Sequence, residues 1–341
     1  MKLDERKKRI LQAIVEDYIL TAAPVGSRAI QDKYPFGLSS ATIRNEMSDL
    51  EDMGYLMQPH VSAGRVPVAK AYRLYVDDLA DCQGEDCPQA EALRQHIISR
   101  VHQLGDVVAS TAEALSELTN YASVVMMPKQ EELRITSLQL IPISRASALL
   151  VVVTDGGIMR DSFVHVADGL DNDALYAISR MLSERLRNRT LGEAQELMRA
   201  YALHAPWDPA VLSGIAELAA QLERQSSSDS LKVSGAHHML KYPEYSDVAK
   251  AREVLAALNE TDSLLSLLKE DAGSDLMVRI GPETGIPTME ELSIVTASYQ
   301  VGRRHRGAIG IIGPTRMPYP QLLVTLRVAG STLSQMLSTP A

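Results

Sequence analysis

Residues 39–45 read SSATIRN, a run of hydroxyls with one guanidinium and one carboxamide. On a helix, Ala41, Asn45 and Ser48 fall on one face, flanked by Thr42 and Arg44, while Ile43, Met47 and Leu50 fall on the opposite one. Small, hydrogen-bonding side chains of this kind suit donation and acceptance at flat polar edges, such as base pairs present in a major groove. Acidic Asp49, Glu51 and Asp52 crowd the C-terminal half, where phosphate would repel them. The N-terminal half is therefore the reading end, and its dipole favours a phosphate beside it. Ser39, Ser40, Thr42, Arg44 and Asn45 are the expected DNA contacts; a plain solvated helix face fits the same pattern.

The elements around this helix follow from spacing and breakers. Leu3, Ile10, Leu11, Ile14 and Tyr18 give residues 4–20 an apolar stripe, which Pro24 and Gly26 stop. Ser27 can cap a short second helix, SRAIQDKY, whose Arg28 is a further expected DNA contact. The third helix starts at Ser39 or Ser40 and ends where Gly54 offers a C-terminal cap. Three short helices with a tight turn before the third give a helix-turn-helix outline. Residues 55–58 then read as a strand, 59–64 as a loop, and Arg65–Val66 as a return strand. Pro67 suits the first turn of a helix over 68–79. The hairpin is a wing that places His60 and Arg65 at its tip, within reach of phosphate or the minor groove. A surface arginine is the plainer reading of Arg65.

A net charge of −9 argues against a nucleic-acid binder until it is divided along the chain. Residues 1–75 hold 11 Lys and Arg against 9 Asp and Glu, so they carry +2, and the remaining 266 residues carry −11. Charges separated by more than ~8–10 Å of salt solution are largely screened, so an acidic body is compatible with a mildly basic DNA-binding head. The chain has no apolar stretch long enough to span a membrane and no signal-peptide pattern at its N-terminus, so a cytoplasmic location is expected. Cys82 and Cys87 read as solvent-facing thiols, since their spacing and lack of nearby histidine make a poor zinc site.

Catalytic signatures are missing. There is no G-x-S-x-G, H-E-x-x-H, phosphate-binding P-loop or full G-x-G-x-x-G, and no enzyme or cofactor is expected. His237–His238 reads as a helix or interface pair rather than a metal site. The basic run Arg303, Arg304, His305 and Arg306 fits a solvated hairpin tip, an interdomain salt-bridge site or an anion site. After a polar linker, residues 90–119 hold a roughly seven-residue apolar rhythm that suits a connecting helix near a dimer partner, or a core helix. From 123 the period changes to β-branched runs, with a hairpin turn at Asp155–Gly157. Residues 170–225 are mostly helical, helices return at 246–270, strands follow at 276–280, 292–300 and 307–313, and a last helix covers 317–337.

The run HVSAGRVPVAKAYRLYVD, following SSATIRNEMSDLEDMGYL, resembles the heat-inducible transcription repressor family HrcA. Weaker likeness continues through SVVMMP at 123–128, LQLIPIS at 138–144 and GRRHRGAIGIIGPTRMPY near the C-terminus. Val61, Val68 and Ala71 depart from the family pattern of threonine, a polar residue and glycine. The resemblance implies an α+β multidomain fold: a winged helix-turn-helix over 1–80, a linker and connecting helix over 81–120, and a GAF-like domain over 121–167 and 229–341. Into the last, a dimerising domain over 168–228 is inserted. It implies a homodimer on an inverted-repeat operator, CIRCE, controlling chaperone operons, with the GroEL chaperonin maintaining activity. The alternative is a regulator whose GAF-like domain binds a small molecule.

Overall fold

A computed structural model of the chain describes residues 3–79, 95, 107–127, 134–144, 147–155, 159–166, 172–204, 231–302 and 305–338. Cys82, Cys87, Arg303, Arg304, the first part of the expected connecting helix and most of the segment around Trp207 lie outside them. Among the described residues, no helix is long and apolar enough to cross a membrane.

The N-terminal head runs α1 (Glu5–Thr21), α2 (Ser27–Lys33), α3 (Ser40–Asp52), β1 (Leu56–Met57), β2 (Val66–Pro67) and α4 (Ala69–Leu79). Asp4 caps α1 by accepting from the Lys7 amide at 2.7 Å. The cap position of α2 is Gly26, which makes no side-chain bond, so Ser27 is the first helical residue rather than the cap. Pro67 also departs from expectation: it pairs with Leu56 in the hairpin instead of opening α4. The Val68 amide donates to the Tyr55 carbonyl at 3.1 Å and carries the pairing one residue further, which delays the helix. Ile10, Ile14, Ile43, Leu50 and Tyr72 close the centre of the head, each at most 1% exposed.

The body is built on five antiparallel strands: β3 (Ala122–Met126), β7 (Leu231–Ser234), β8 (Leu276–Ile280), β9 (Leu292–Val301) and β10 (His305–Pro314), in the order β7-β3-β10-β9-β8. The central strands β9 and β10 are almost continuously buried because helices cover both faces. Val124, Ile294 and Ile312 pack under α8 (Val248–Asn259) and α9 (Thr261–Asp271). Val125, Val295 and Ile311 face α5 (Val107–Thr119) and α10 (Tyr319–Ser338). Buried Asp271 accepts from Arg279 at 2.7 and 3.0 Å and from Thr296 at 2.9 Å, tying α9 to two strands with its charge compensated.

Strands β4 (Ile135–Ser144), β5 (Ser147–Thr154) and β6 (Met159–His165) do not join that sheet. They form a separate three-stranded sheet whose inner face shares a core with α6 (Asn172–Leu186) and α7 (Leu191–His204). The expected edge at 167–168 therefore falls inside one packed unit, whose described residues lie within 134–204, and β4–β6 do not belong with the five-stranded sheet. The change of period at 170 marks the strand-to-helix step inside this unit, not its edge. Ser179 and Ser183, one helical turn apart on α6, accept from the Leu140 and Leu138 amides at 3.0 and 3.2 Å. They satisfy amides on the side of β4 that β5 leaves unpaired.

The head is seated on the body by an apolar contact and two arginines. Rings of Tyr72 and Tyr319 lie 6.3 Å apart. Arg73 of α4 donates to the Val278 carbonyl at 2.8 Å and to Glu283 at 3.2 Å. In return Arg316 of the body donates to the Ile19 carbonyl at 3.1 Å, in the last turn of α1, and is paired with Glu244. A guanidinium there complements the negative end of the α1 dipole.

Because the core of the 135–198 region shares no buried residue with the other clusters, damage to it should stay local. Leu182, 1% exposed at its centre, is expected to cost about 2–5 kcal/mol when cut to alanine. Hydrogen exchange should then accelerate in β4–β6 while β9 and β10 keep their protection. Equal loss in both sheets would refute separate cores.

Candidate nucleic-acid interface

Helix α3 is fixed at both ends. Ser39 is its N-cap: its hydroxyl accepts from the Thr42 amide at 3.1 Å and lies 2.9 Å from the Thr42 hydroxyl. At the other end Gly54 has φ +73°, which L side chains avoid, and the Gly54 and Tyr55 amides return to the Glu51 and Leu50 carbonyls at 2.8 and 2.9 Å. This is the αL ending expected of a glycine there. Lys70 adds a donor to the Met53 carbonyl at 2.9 Å and lies over the Tyr55 ring.

With Ile43, Met47 and Leu50 buried, Ala41, Arg44, Asn45 and Ser48 are left exposed. Arg44 and Asn45 make no side-chain hydrogen bond or ion pair among the described residues, and the same holds for Arg28 in the first turn of α2 and for His60. Ser40 is half-buried beside the cap, where first-turn amides have no partner within the helix. Ser39, Ser40, Thr42, Arg44 and Asn45 thus all belong to the N-terminal half of α3, although Ser39 and Thr42 are partly engaged with one another.

The acids of α3 are disposed of differently from the expectation that they merely stay clear of phosphate. Glu46 is buried, its side chain 8% exposed, and it accepts from Arg6 at 2.8 Å and from Lys7 at 2.7 Å. Lys7 also reaches Asp49 at 2.9 Å. Hydrogen bonds to Glu46 first and Asp49 second push the Lys7 ammonium above its usual range. Glu51 takes Arg65 at 2.8 Å. Asp52 is exposed and has no such partner among the described residues. Glu46 escaped the sequence reading, yet it lies three residues after Ile43 and four before Leu50, inside the apolar stripe, and that position was its signal.

The β1–β2 hairpin has an ordered loop. The Gln58 side chain donates through Nε2 to the Val61 and Ala63 carbonyls, both at 2.9 Å, and the Ala63 backbone amide donates to the His60 carbonyl at 2.9 Å. His60 is exposed there, and Val61 is 99% exposed at the tip. Arg65 corrects expectation. It is not at the tip but at the foot of the loop, directly before β2, where its backbone exchanges both hydrogen bonds with Val25 at 2.8 and 2.9 Å. Its side chain turns inward to Glu51 with 17% exposure. Gly64 makes this seat possible, since a Cβ there would stand 2.3 Å from the Val25 carbonyl oxygen.

Elsewhere, the rings of His237 and His238 lie 4.2 Å apart, tilted by 40°, in a 3-10 turn over Ala236–Lys241, and no described group of His, Cys, Asp and Glu is arranged to hold a metal. His305 comes within 3.6 Å of Asp155, so one member of the basic run meets the three-stranded unit; Arg306 is exposed.

Gly64→Ala is expected to lift the hairpin off residues 24–25. The Val25 and Arg65 amides should lose hydrogen-exchange protection while amides of α1 keep theirs. Retained protection at both positions would show that the close approach is not required.

Residues 105–323 match the family model described as the HrcA protein C terminal domain. The chain is 37% identical to a heat-inducible transcription repressor HrcA of Acetivibrio thermocellus, over 98% of this chain and 96% of that one. It is 39% identical to the protein of that name from Pelotomaculum thermopropionicum, over 99% and 97%. A crystal structure described only as a hypothetical protein at 2.2 Å resolution has the same fold, with TM-score 0.73, 24% identity and 99% of each chain covered. With the family model matched over more than half of the chain and relatives of that name aligned along nearly all of it, the chain belongs to the HrcA family of heat-inducible transcription repressors.

Proposed function

We propose that residues 1–80 form a winged helix-turn-helix that reads an inverted-repeat operator of the CIRCE type, two heads being presented by a homodimer. The observation that carries this reading is α3 itself: its N-terminal half exposes Arg44 and Asn45, which have no side-chain partner among the described residues, while Glu46, Asp49 and Glu51 are held by cations of the head. Arg44 and Asn45 are assigned to base edges. Ser39, Ser40, Thr42, Arg28 and His60 are assigned to the backbone and flanking groove. Arg65 serves by holding the wing against α3.

A homodimer agrees with the outer face of the three-stranded sheet. Ile141, Leu149 and Phe163 stand opposite one another across three strands. Ile141, Ile143 and Phe163 are 43%, 57% and 72% exposed. An apolar row of this kind on a small sheet suits burial against a second copy, so the inserted unit is assigned to dimerisation and the five-stranded body to the GAF-like domain. Control of chaperone operons in the cytoplasm, with GroEL maintaining the active form, is taken from the family resemblance.

The deciding experiment is binding to a labelled inverted repeat and to a half-site-scrambled duplex across a salt series, with and without GroEL. Preference for the repeat supports operator reading, and a gain with GroEL supports the chaperonin link; equal weak binding to both duplexes sinks the reading. Arg44→Ala is expected to cost operator binding about 1–3 kcal/mol and to relax sequence choice at one position of each half-site. Asp52→Ala should leave half-site preference unchanged, and a shift there would mean that α3 enters DNA by its other end.

A further inference from the structure

We propose that the joint between head and body is a binding site for an amphipathic anion, of which a fatty-acid-like carboxylate is the simplest case, and that filling it alters the seat of the head. A cavity of about 440 Å³ opens between α4, β8 and α10. Its apolar walls come from all three: Val76 and Leu79, Leu276 and Val278, Leu323 and Val324. A second cavity of about 740 Å³ adjoins it and shares Leu276 and Arg327. That one is polar, lined by Ser298, Ser331, Ser334 and Asp275. Each lies within the ~300–1,000 Å³ range of small-molecule pockets.

The charges select the ligand. Arg73 and Asp77 line the apolar cavity but pair with each other at 3.0 Å, and Arg73 is further held by Glu283. Arg327 stands where the two cavities meet, exposed and without an ion pair among the described residues. An apolar chain along α4 and α10 therefore finds its counter-charge at the cavity mouth. Asp275 disfavours a carboxylate deeper in the polar chamber, which keeps the head group beside Arg327. Because α4 is one wall and carries Arg73, a ligand between α4 and α10 acts on the contacts that seat the head. This effect on DNA rests on the operator reading above; binding itself does not.

The test uses the full chain and 11-(dansylamino)undecanoate as a fluorescent probe, below its micelle concentration and without DNA. Saturable enhancement is expected, with dodecanoate displacing the probe at least tenfold better than dodecanol. Arg327→Glu should weaken binding at least tenfold and Arg327→Lys should largely retain it, while Val324→Trp should abolish it by filling the apolar cavity. Far-UV circular dichroism checks that the variants fold. Absence of saturable binding, or binding that survives both Arg327→Glu and Val324→Trp, overturns the site. Saturating dodecanoate should change operator affinity at least threefold. An unmoved affinity overturns the coupling, whereas failure to bind operator with or without dodecanoate counts against the DNA reading and leaves the probe result standing.

Discussion

The geometry of the head depends on one buried carboxylate. Glu46 lies on the inward side of α3 among Ile43, Met47 and Leu50, and a charge withdrawn from water in this way has to be paired. Arg6 and Lys7 supply the pairing from the first turn of α1. The consequence is directional: α3 cannot rotate about its axis or slide along α1 without stranding Glu46, so its exposed face is set. Lys7 extends the same constraint to Asp49. Arg6 and Lys7 thus fix the helix that, on the proposed reading, would enter DNA.

The hairpin and the body extend this constraint outward. Val25 precedes α2, and its backbone pair with Arg65 makes a third, one-residue rung beside the hairpin, while the Arg65 side chain crosses to Glu51 on α3. The hairpin is therefore tied to both α2 and α3. At the other side, Arg73 and Arg316 each end on a backbone carbonyl across the joint, and each has a glutamate beside it. Hydrogen bonds to a carbonyl depend on orientation as well as distance, so the two contacts define an angle between head and body. Around these polar contacts the head and the body share one apolar core, through Tyr72, Val76, Val278 and Tyr319, and Arg73 lines the cavity beside it.

Much of this was legible in the residues. The stripes of α1 and α3, the glycine ending of α3 and the strands at 276–280, 292–301 and 305–314 follow from period and breakers, because local sequence determines them. The inserted unit was misplaced because strands of two different sheets share the same β-branched composition. Only pairing partners distinguish Val125, which meets β7 and β10, from Val151, which meets β4 and β6. Arg65 was misread for a related reason. Its exposure depends on Val25 and Glu51, residues distant in sequence, and on the lack of a side chain at Gly64. Glu46 could have been found by asking why an acid occupies an apolar stripe.

The internal pairing also changes what the head's small positive charge means. Arg6, Lys7, Lys33, Arg65 and Arg73 are spent on acids, and Lys70 on the Met53 carbonyl. Among the described residues of the head, Arg9, Arg28 and Arg44 remain without an ion pair. Each phosphate neutralised contributes about 0.9 to the salt slope, so one head has few charges with which to hold DNA and must rely on the hydrogen bonds of α3. A single half-site would then be held weakly. On the proposed reading, joining two heads would make the second contact intramolecular and raise its effective concentration, so a pair of chains would give this sparsely charged head a route to operator affinity that its own surface charge does not provide.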